Sequence, residues 1–196
     1  MIKKLTIGDV NKAVFLHQEG MPNDFLASFG TYFLNRIHYN LIKSKTVITL
    51  GNFEKENLNG IIYGSFNTSA TYSEILRTGF FSLAPIIIVK FILKPKMFIS
   101  IIQAILYPNQ HSKSDIKAEL LILSISKVNR HAGIGSKLIN QLKENFKNNH
   151  VYKFKVSTKE SNLAANNFYI KNKGQYQKKI SIFNTVWNLY YFYIKE

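Results

Sequence analysis

The chain has 196 residues, 46% of them hydrophobic, which excludes a disordered polymer and supplies enough apolar side chains for one sizeable core. It has no cysteine, so a disulfide framework and a thiolate metal site are both excluded. Its 26 Lys and Arg against 11 Asp and Glu give a net charge of +15, which favours polyanionic partners, although A/T-rich codons supply the same surplus of Lys beside Asn, Ile, Phe and Tyr. The start, Met1-Ile-Lys-Lys-Leu-Thr-Ile-Gly-Asp9, lacks the apolar core of a signal peptide, and the expectation is one cytoplasmic domain over 1–196.

In chain order, Ile2 to Ile7 reads as a strand and Asp9 to His17 as a helix capped by Thr6 or Asp9. Phe25, Phe29, Phe33 and Ile37 recur at helical spacing between Asp24 and Lys43, with Gly30 dividing two helices. Thr46 to Leu50 and Gly60 to Phe66 are apolar or β-branched runs, and the polar stretch 51–59 reads as the turn of a hairpin. Between 74 and 108 the chain is mostly apolar, but Pro85 and Pro95 break a run already too short for the roughly 20 residues of a membrane span. Two or three short helices are expected there, packing as core or lid, or lying on a membrane surface through 80–107. Beyond it the order is strand, helix, strand, helix and a closing hairpin. These are Glu119 to Ser126, a helix with the stripe Ile134, Leu138, Leu142 and Phe146, Val151 to Ser157, Asn162 to Asn172, then Ile180 to Phe183 with Val186 to Ile194.

The run Arg130-His-Ala-Gly-Ile-Gly-Ser-Lys-Leu138 follows the first of those strands and opens the helix. A glycine turn there leaves backbone N–H groups unpaired at the positive end of a helix dipole, which suits a diphosphate. It is not a Walker P-loop, because the spacing to a Gly-Lys-Ser or Gly-Lys-Thr is wrong. Nor is it a dinucleotide fingerprint, since position 138 is Leu and the run lies late in the chain.

With the strand before it, this run resembles the Gln/Arg-x-x-Gly-x-Gly/Ala signature of the GNAT superfamily of acetyltransferases, carried by Arg130, Gly133 and Gly135. Asn162, Ala165 and Tyr169 match the superfamily's Asn-x-x-Ala-x-x-x-Tyr element. The Gly-Phe usual four residues after that Tyr is replaced by Gly174-Gln175 at five, so the helix end is expected to be shifted or extended by one residue. The resemblance covers about residues 116 to 180, and 74–108 has no counterpart in the minimal pattern. It implies an α/β (α+β) domain with a central mixed, mostly antiparallel twisted sheet flanked by helices, and a helical insertion at about 74–108.

The resemblance further implies an acetyl-coenzyme A dependent N-acetyltransferase with no metal. The amides of His131, Ala132, Gly133, Ile134, Gly135 and Ser136, helped by Arg130, would bind the pyrophosphate, and the backbone of Leu123, Ser124 and Ile125 the pantetheine arm. Asn162 would bond the pantetheine, or cap its helix. Glu119, where histone-acetylating members also have a Glu after an Ala, would be the base; otherwise it caps the strand or pairs with a Lys. Tyr169, a phenol protonated at neutral pH, would be the acid toward the sulfur, or a packing residue. The five His residues show no metal-binding spacing.

The acceptor is expected to be a small-molecule amine, an amino sugar or nucleotide sugar among the candidates, in a pocket built by residues 20–45 and 74–108. The protein would be a monomer or homodimer. A second reading makes the fold a catalytically silent module that binds RNA or an anionic membrane surface through its basic charge and the aromatics Trp187, Tyr190, Tyr191, Phe192 and Tyr193.

Overall fold

A computed structural model describes residues 1–22, 24–93, 115–182 and 185–195. Its strands are β1 (Ile2–Lys4), β2 (Val47–Glu54), β3 (Asn57–Ser65), β4 (Glu119–Ile125), β5 (Lys153–Lys159), β6 (Gln175–Ile182) and β7 (Thr185–Tyr193). Its helices are α1 (Val10–Gly20), α2 (Thr31–Lys43), α3 (Thr68–Leu93), α4 (Ile134–Asn148) and α5 (Leu163–Lys171). The strands form one seven-stranded sheet in the order β1-β2-β3-β4-β5-β7-β6, in which only β4 and β5 run parallel. This is the mixed, mostly antiparallel sheet expected.

Helices cover both faces. On one, α1, α2 and α3 bury Leu16, Leu34, Ile37 and Ile75 against Ile61 and Tyr63 of β3. On the other, α4 lays Leu138, Leu142 and Phe146 of the expected stripe, with Ile139, against Phe154 and Phe192. Complete burial of each such side chain contributes about 1.5–3 kcal/mol, so these faces hold the sheet between its helices.

Local chemistry sets the ends. Thr6 and Asp9 close a capping box, Asp9 Oδ2 accepting from the Thr6 amide at 2.8 Å and from its hydroxyl at 2.7 Å. Gly30, at φ +96°, separates a 3-10 turn at Leu26–Phe29 from α2, as its position suggested. The stretch 51–59 is mostly strand and not turn: Phe53 and Leu58 are buried, the ladder continues to Glu54 opposite Asn57, and only Lys55 and Glu56 turn the chain. The final hairpin is likewise longer than expected, starting at Gln175, and β5 starts at Lys153.

The helix expected after residue 74 starts at Thr68, with Asn67 Oδ1 accepting from the Ala70 amide at 3.2 Å, and runs to Leu93. It bends by 87° between Thr68–Gly79 and Leu83–Val89. Pro85 explains the position, because it cannot donate to the carbonyl four residues earlier and its ring collides with that group. Among the described residues no single helix is long and apolar enough to cross a membrane; that bent pair meets length and composition only together. The expectations for 94–108 lie outside the described residues.

The end of α5 corrects a second expectation. Lys173 sits at φ +70°, its amide bonded to the Ile170 carbonyl at 3.0 Å and the Gly174 amide to the Tyr169 carbonyl at 2.8 Å. That is a Schellman end with a lysine in the left-handed position: the helix ends at Lys171, and its left-handed residue falls four after Tyr169 and not five. Gly174 serves packing instead: a Cβ there would lie 2.8 Å from Phe192 Cζ and 2.9 Å from the Tyr169 oxygen. A left-handed non-glycine residue costs about 1 kcal/mol, so Lys173→Gly is expected to raise the melting temperature by about 2–4 °C, read by calorimetry.

Candidate active site

The site begins where the two parallel strands part. β4 and β5 share one registered pair, Glu119 with Lys155, beside the bond from the Lys155 amide to the Ala118 oxygen at 3.0 Å. Each strand is laddered along its other edge, β4 to β3 and β5 to β7. The edge of β4 that faces β5 therefore leaves Leu123 and Ile125 backbone groups without a ladder partner, and a slot opens between the strands. A register shift between Tyr63 and Gly64 opposite β4 marks a bulge near the head of that slot.

Beyond the far end of β4, a 3-10 turn at Lys127–Asn129 leads into the glycine run. His131 at φ +65° and Gly133 at φ +77° turn the chain outward, and α4 makes its first bond from the Lys137 amide to the Gly133 oxygen at 3.1 Å. The six consecutive amides of His131, Ala132, Gly133, Ile134, Gly135 and Ser136 have no partner among the described residues. They sit at a helix N-terminus with no side-chain cap. The two glycines differ in purpose. A Cβ on Gly133 would point into open space, where a ligand can approach, whereas one on Gly135 would lie 2.9 Å from Phe168 Cε2 of α5. Arg130 is exposed beside this run.

α1 holds the slot's upper edge from the other face. Ser124 Oγ donates to the Leu16 oxygen at 2.6 Å, and Gly20 approaches so closely that a Cβ there would lie 2.0 Å from that Oγ. Glu19 accepts from the Lys127 amide at 3.3 Å, which ties the end of α1 to the turn before the amide run.

At the head of the slot, Glu119 is buried. Its Oε2 lies 2.9 Å from Thr68 Oγ1 and 3.9 Å from Lys155 Nζ, so the expected alternative of pairing with a Lys is realised. Tyr72, one turn along α3, has its phenol pushed well above the usual range by burial and by the charges of Glu119 and Asp24. Tyr169 packs between Phe168, Tyr190 and Phe192, and burial pushes its phenol up as well. Asn162 is the N-cap of α5, accepting from the Ala165 amide at 3.1 Å. The neighbouring Asn166 went unmarked in the sequence. It donates to the carbonyls of Lys159, Glu160 and Asn162 and accepts from the Tyr190 hydroxyl at 2.7 Å, fixing α5 to β7.

Histidines that look scattered along the chain meet in the core. His17 Nδ1 lies 3.0 Å from His38 Nε2, His38 Nδ1 lies 2.7 Å from the Tyr63 hydroxyl, and His17 Nε2 lies 3.2 Å from Asp24 Oδ2. His17, His38 and Tyr63 are all at most 1% exposed. Burial, with the neighbouring His17, lowers the His38 pKa to about 3, and burial pushes the Tyr63 phenol up. Their 21-residue separation, across two helices, is what hid the pair. Of the C-terminal aromatics, Tyr190 and Phe192 are core residues, which removes them from any stacking surface.

A model of the acetyltransferase (GNAT) family matches residues 101–174. The fold is similar to that of ribosomal-protein-S18-alanine N-acetyltransferase from Escherichia coli, with TM-score 0.64 and 9% identity over 100% of this chain and 94% of that one. PaiA N-acetyltransferase from Thermoplasma acidophilum in complex with coenzyme A gives 0.60 and 15% over 96% of each chain. An N-acetyltransferase from Staphylococcus aureus Mu50 gives 0.63 and 12% over 100% of this chain and 98% of that one. None of the curated proteins matches in sequence. The fold is thus that of an acetyltransferase. The stretch 101–174 is similar to the acetyltransferase (GNAT) family, and the whole chain shares the fold of these N-acetyltransferases.

The buried histidine generates a stability prediction. An unfolded His38 takes up its proton near 6.5 and the folded one only near 3, so the unfolded state binds more protons in that window. Stability is therefore lost as pH falls from about 6.5 toward 3, by up to about 1.4 kcal/mol per pH unit for this group. Denaturant unfolding at pH 7, 6, 5 and 4 should show that loss, and His38→Gln should flatten it while lowering stability at pH 7.

Proposed function

We propose that this chain transfers an acetyl group from acetyl-coenzyme A to the amine of a small-molecule acceptor, with amino sugars and nucleotide sugars among the classes to screen. The observation that carries the reading is the continuous path from six unpartnered amides, along the open edge of β4, to a buried carboxylate at its head. A diphosphate fits the amides, which are donors at the positive end of a helix dipole, and an amide-bearing arm fits the open strand edge as an added strand would. The acyl end then arrives beside Glu119 and Tyr169.

In the reaction the amine nitrogen bonds to the thioester carbon, the carbon–sulfur bond breaks, and the nitrogen loses a proton. Glu119 takes that proton directly or through a water, its orientation held by Thr68 and Lys155. Tyr169 keeps its proton, because burial raises its phenol and a thiol is more acidic, with a reference pKa of about 8.5. Its role is then to donate a hydrogen bond to the departing sulfur as charge develops, with no complete proton transfer. Asn162 acts on the coenzyme only through the loop that it caps.

Two variants test this. Gly133→Val places a branched side chain in the open space over the amides and at a left-handed backbone position, so coenzyme A affinity in calorimetry should fall at least tenfold; unchanged affinity would remove the cradle. Tyr169→Phe keeps the ring against Tyr190 and Phe192 but removes the donor. Coenzyme A release should slow by about a hundredfold while acetyl-coenzyme A affinity stays within about twofold.

A further inference from the structure

We propose that Asp24 binds the acceptor's ammonium group, and that His17, His38 and Tyr63 are positioning residues that act through it. The inference rests on the acetyltransferase reading above and names a group on its acceptor side.

The two oxygens of Asp24 are in different situations. Oδ2 is held twice, by His17 Nε2 at 3.2 Å and by the Leu26 amide at 3.1 Å. Oδ1 has no hydrogen-bond partner among the described residues, and the side chain is 25% exposed. No Lys or Arg among the described residues pairs with this carboxylate, although the chain has 26 of them. A fixed carboxylate with one oxygen open and no resident cation is suited to a cation that comes and goes.

Its placement is on the reacting side. Asp24 is bonded to His17, whose neighbour Leu16 accepts from Ser124 of β4 at 2.6 Å, and Tyr72, one turn after the Thr68 that bonds Glu119, feels the charges of both carboxylates. An amine enters as a cation, is held by Asp24 beside Tyr72, and loses one proton through Glu119 to solvent before attack, which frees its lone pair. A second proton leaves nitrogen as the carbon–nitrogen bond forms and the carbon–sulfur bond breaks, and it ends on the departing thiolate, so no other reactant is needed.

The histidine chain explains why Oδ2 is fixed. A carboxylate oxygen only accepts, so His17 Nε2 carries hydrogen. The chain continues from His17 Nδ1 to His38 Nε2 at 3.0 Å and from His38 Nδ1 to the Tyr63 hydroxyl at 2.7 Å. That chain ends at Tyr63, fully buried in the middle of β3. It therefore conducts no proton away from the site. It sets the ring of His17 and, through it, the angle of Asp24, as an outer partner orients a ligating group.

The test uses the full chain with acetyl-coenzyme A and three probe amines: 1,4-diaminobutane, tyramine and L-alaninamide. For any amine consumed, Asp24→Asn should raise its KM at least tenfold with acetyl-coenzyme A affinity within twofold. Tyr63→Phe, which leaves the carboxylate in place, should raise KM about threefold with kcat within twofold. Melting curves establish that each variant folds; an unfolded Asp24→Asn is replaced by Asp24→Ser and judged by the same criterion. Amine KM values within twofold of wild type in the folded Asp24 variant overturn the proposal. If no probe is consumed, 1,4-diaminobutane is titrated into the coenzyme A complex by calorimetry. Weaker binding by the Asp24 variant supports the proposal, and equal binding, or none to wild type at 10 mM, overturns it. Failure of wild type to bind coenzyme A at all instead overturns the acetyltransferase reading, a separate result.

Discussion

The structure depends on the parting of two parallel strands after one shared pair. Parallel strands normally continue their ladder, because an abandoned edge leaves amides and carbonyls without partners. Here β4 and β5 meet at Glu119 and Lys155 and then diverge, while β3 and β7 hold their outer edges. The α4 crossover fills one side of the resulting wedge with Leu138, Leu142 and Phe146, and α1 closes on the other through Gly20 and Ser124. What remains is a slot lined by backbone, ending in outward-facing amides at one end and in a buried ion pair at the other.

The chain's most readable parts were those whose geometry is set within a few residues. Gly133 is needed where φ is +77°, Thr6 and Asp9 close a cap three residues long, and the stripe from Ile134 to Phe146 repeats at the helical period. The strand–turn–helix–strand order followed from those signals. Pro85 marked a break correctly, but the bend lies between Gly79 and Leu83, on the side of the carbonyl it displaces.

What stayed hidden is set by contacts between distant segments or by one residue doing another's work. Lys173 occupies a left-handed position that composition assigns to glycine, so Gly174 was read as a displaced signal when it is a packing residue against Phe192. Glu119 acquires Thr68 from 51 residues earlier, and Lys155 from the next strand. Asn166, one residue along from a recognisable motif position, holds five hydrogen bonds that no spacing rule announces. The polar stretch 51–59 misled for a different reason: the tip of this hairpin buries Phe53 and Leu58 while the polar residues beside them stay exposed, and the exposed ones look like turn sequence.

The charge balance is the place where global and local electrostatics disagree. A net charge of +15 suits the polyanionic end of an acyl-coenzyme, and the exposed Arg130 and Lys137 flank the amide run. At the other end of the slot the groups are Glu119, Asp24 and two phenols that burial keeps protonated. With Lys155 already engaged by Glu119, that end has a carboxylate oxygen open on Asp24 and, among the described residues, no Lys or Arg paired with it. A molecule so rich in lysine has many ways to neutralise an acid, and the long, flexible lysine stem would do so at little cost. The buried His17–His38–Tyr63 chain works against that outcome: it takes one oxygen of Asp24, leaving the second without a partner among the described residues. Anchored through one oxygen, the carboxylate keeps the other for the cation proposed to bind it, whereas the bonds of Glu119 to Thr68 and Lys155 tie α3 and β5 to the head of the slot.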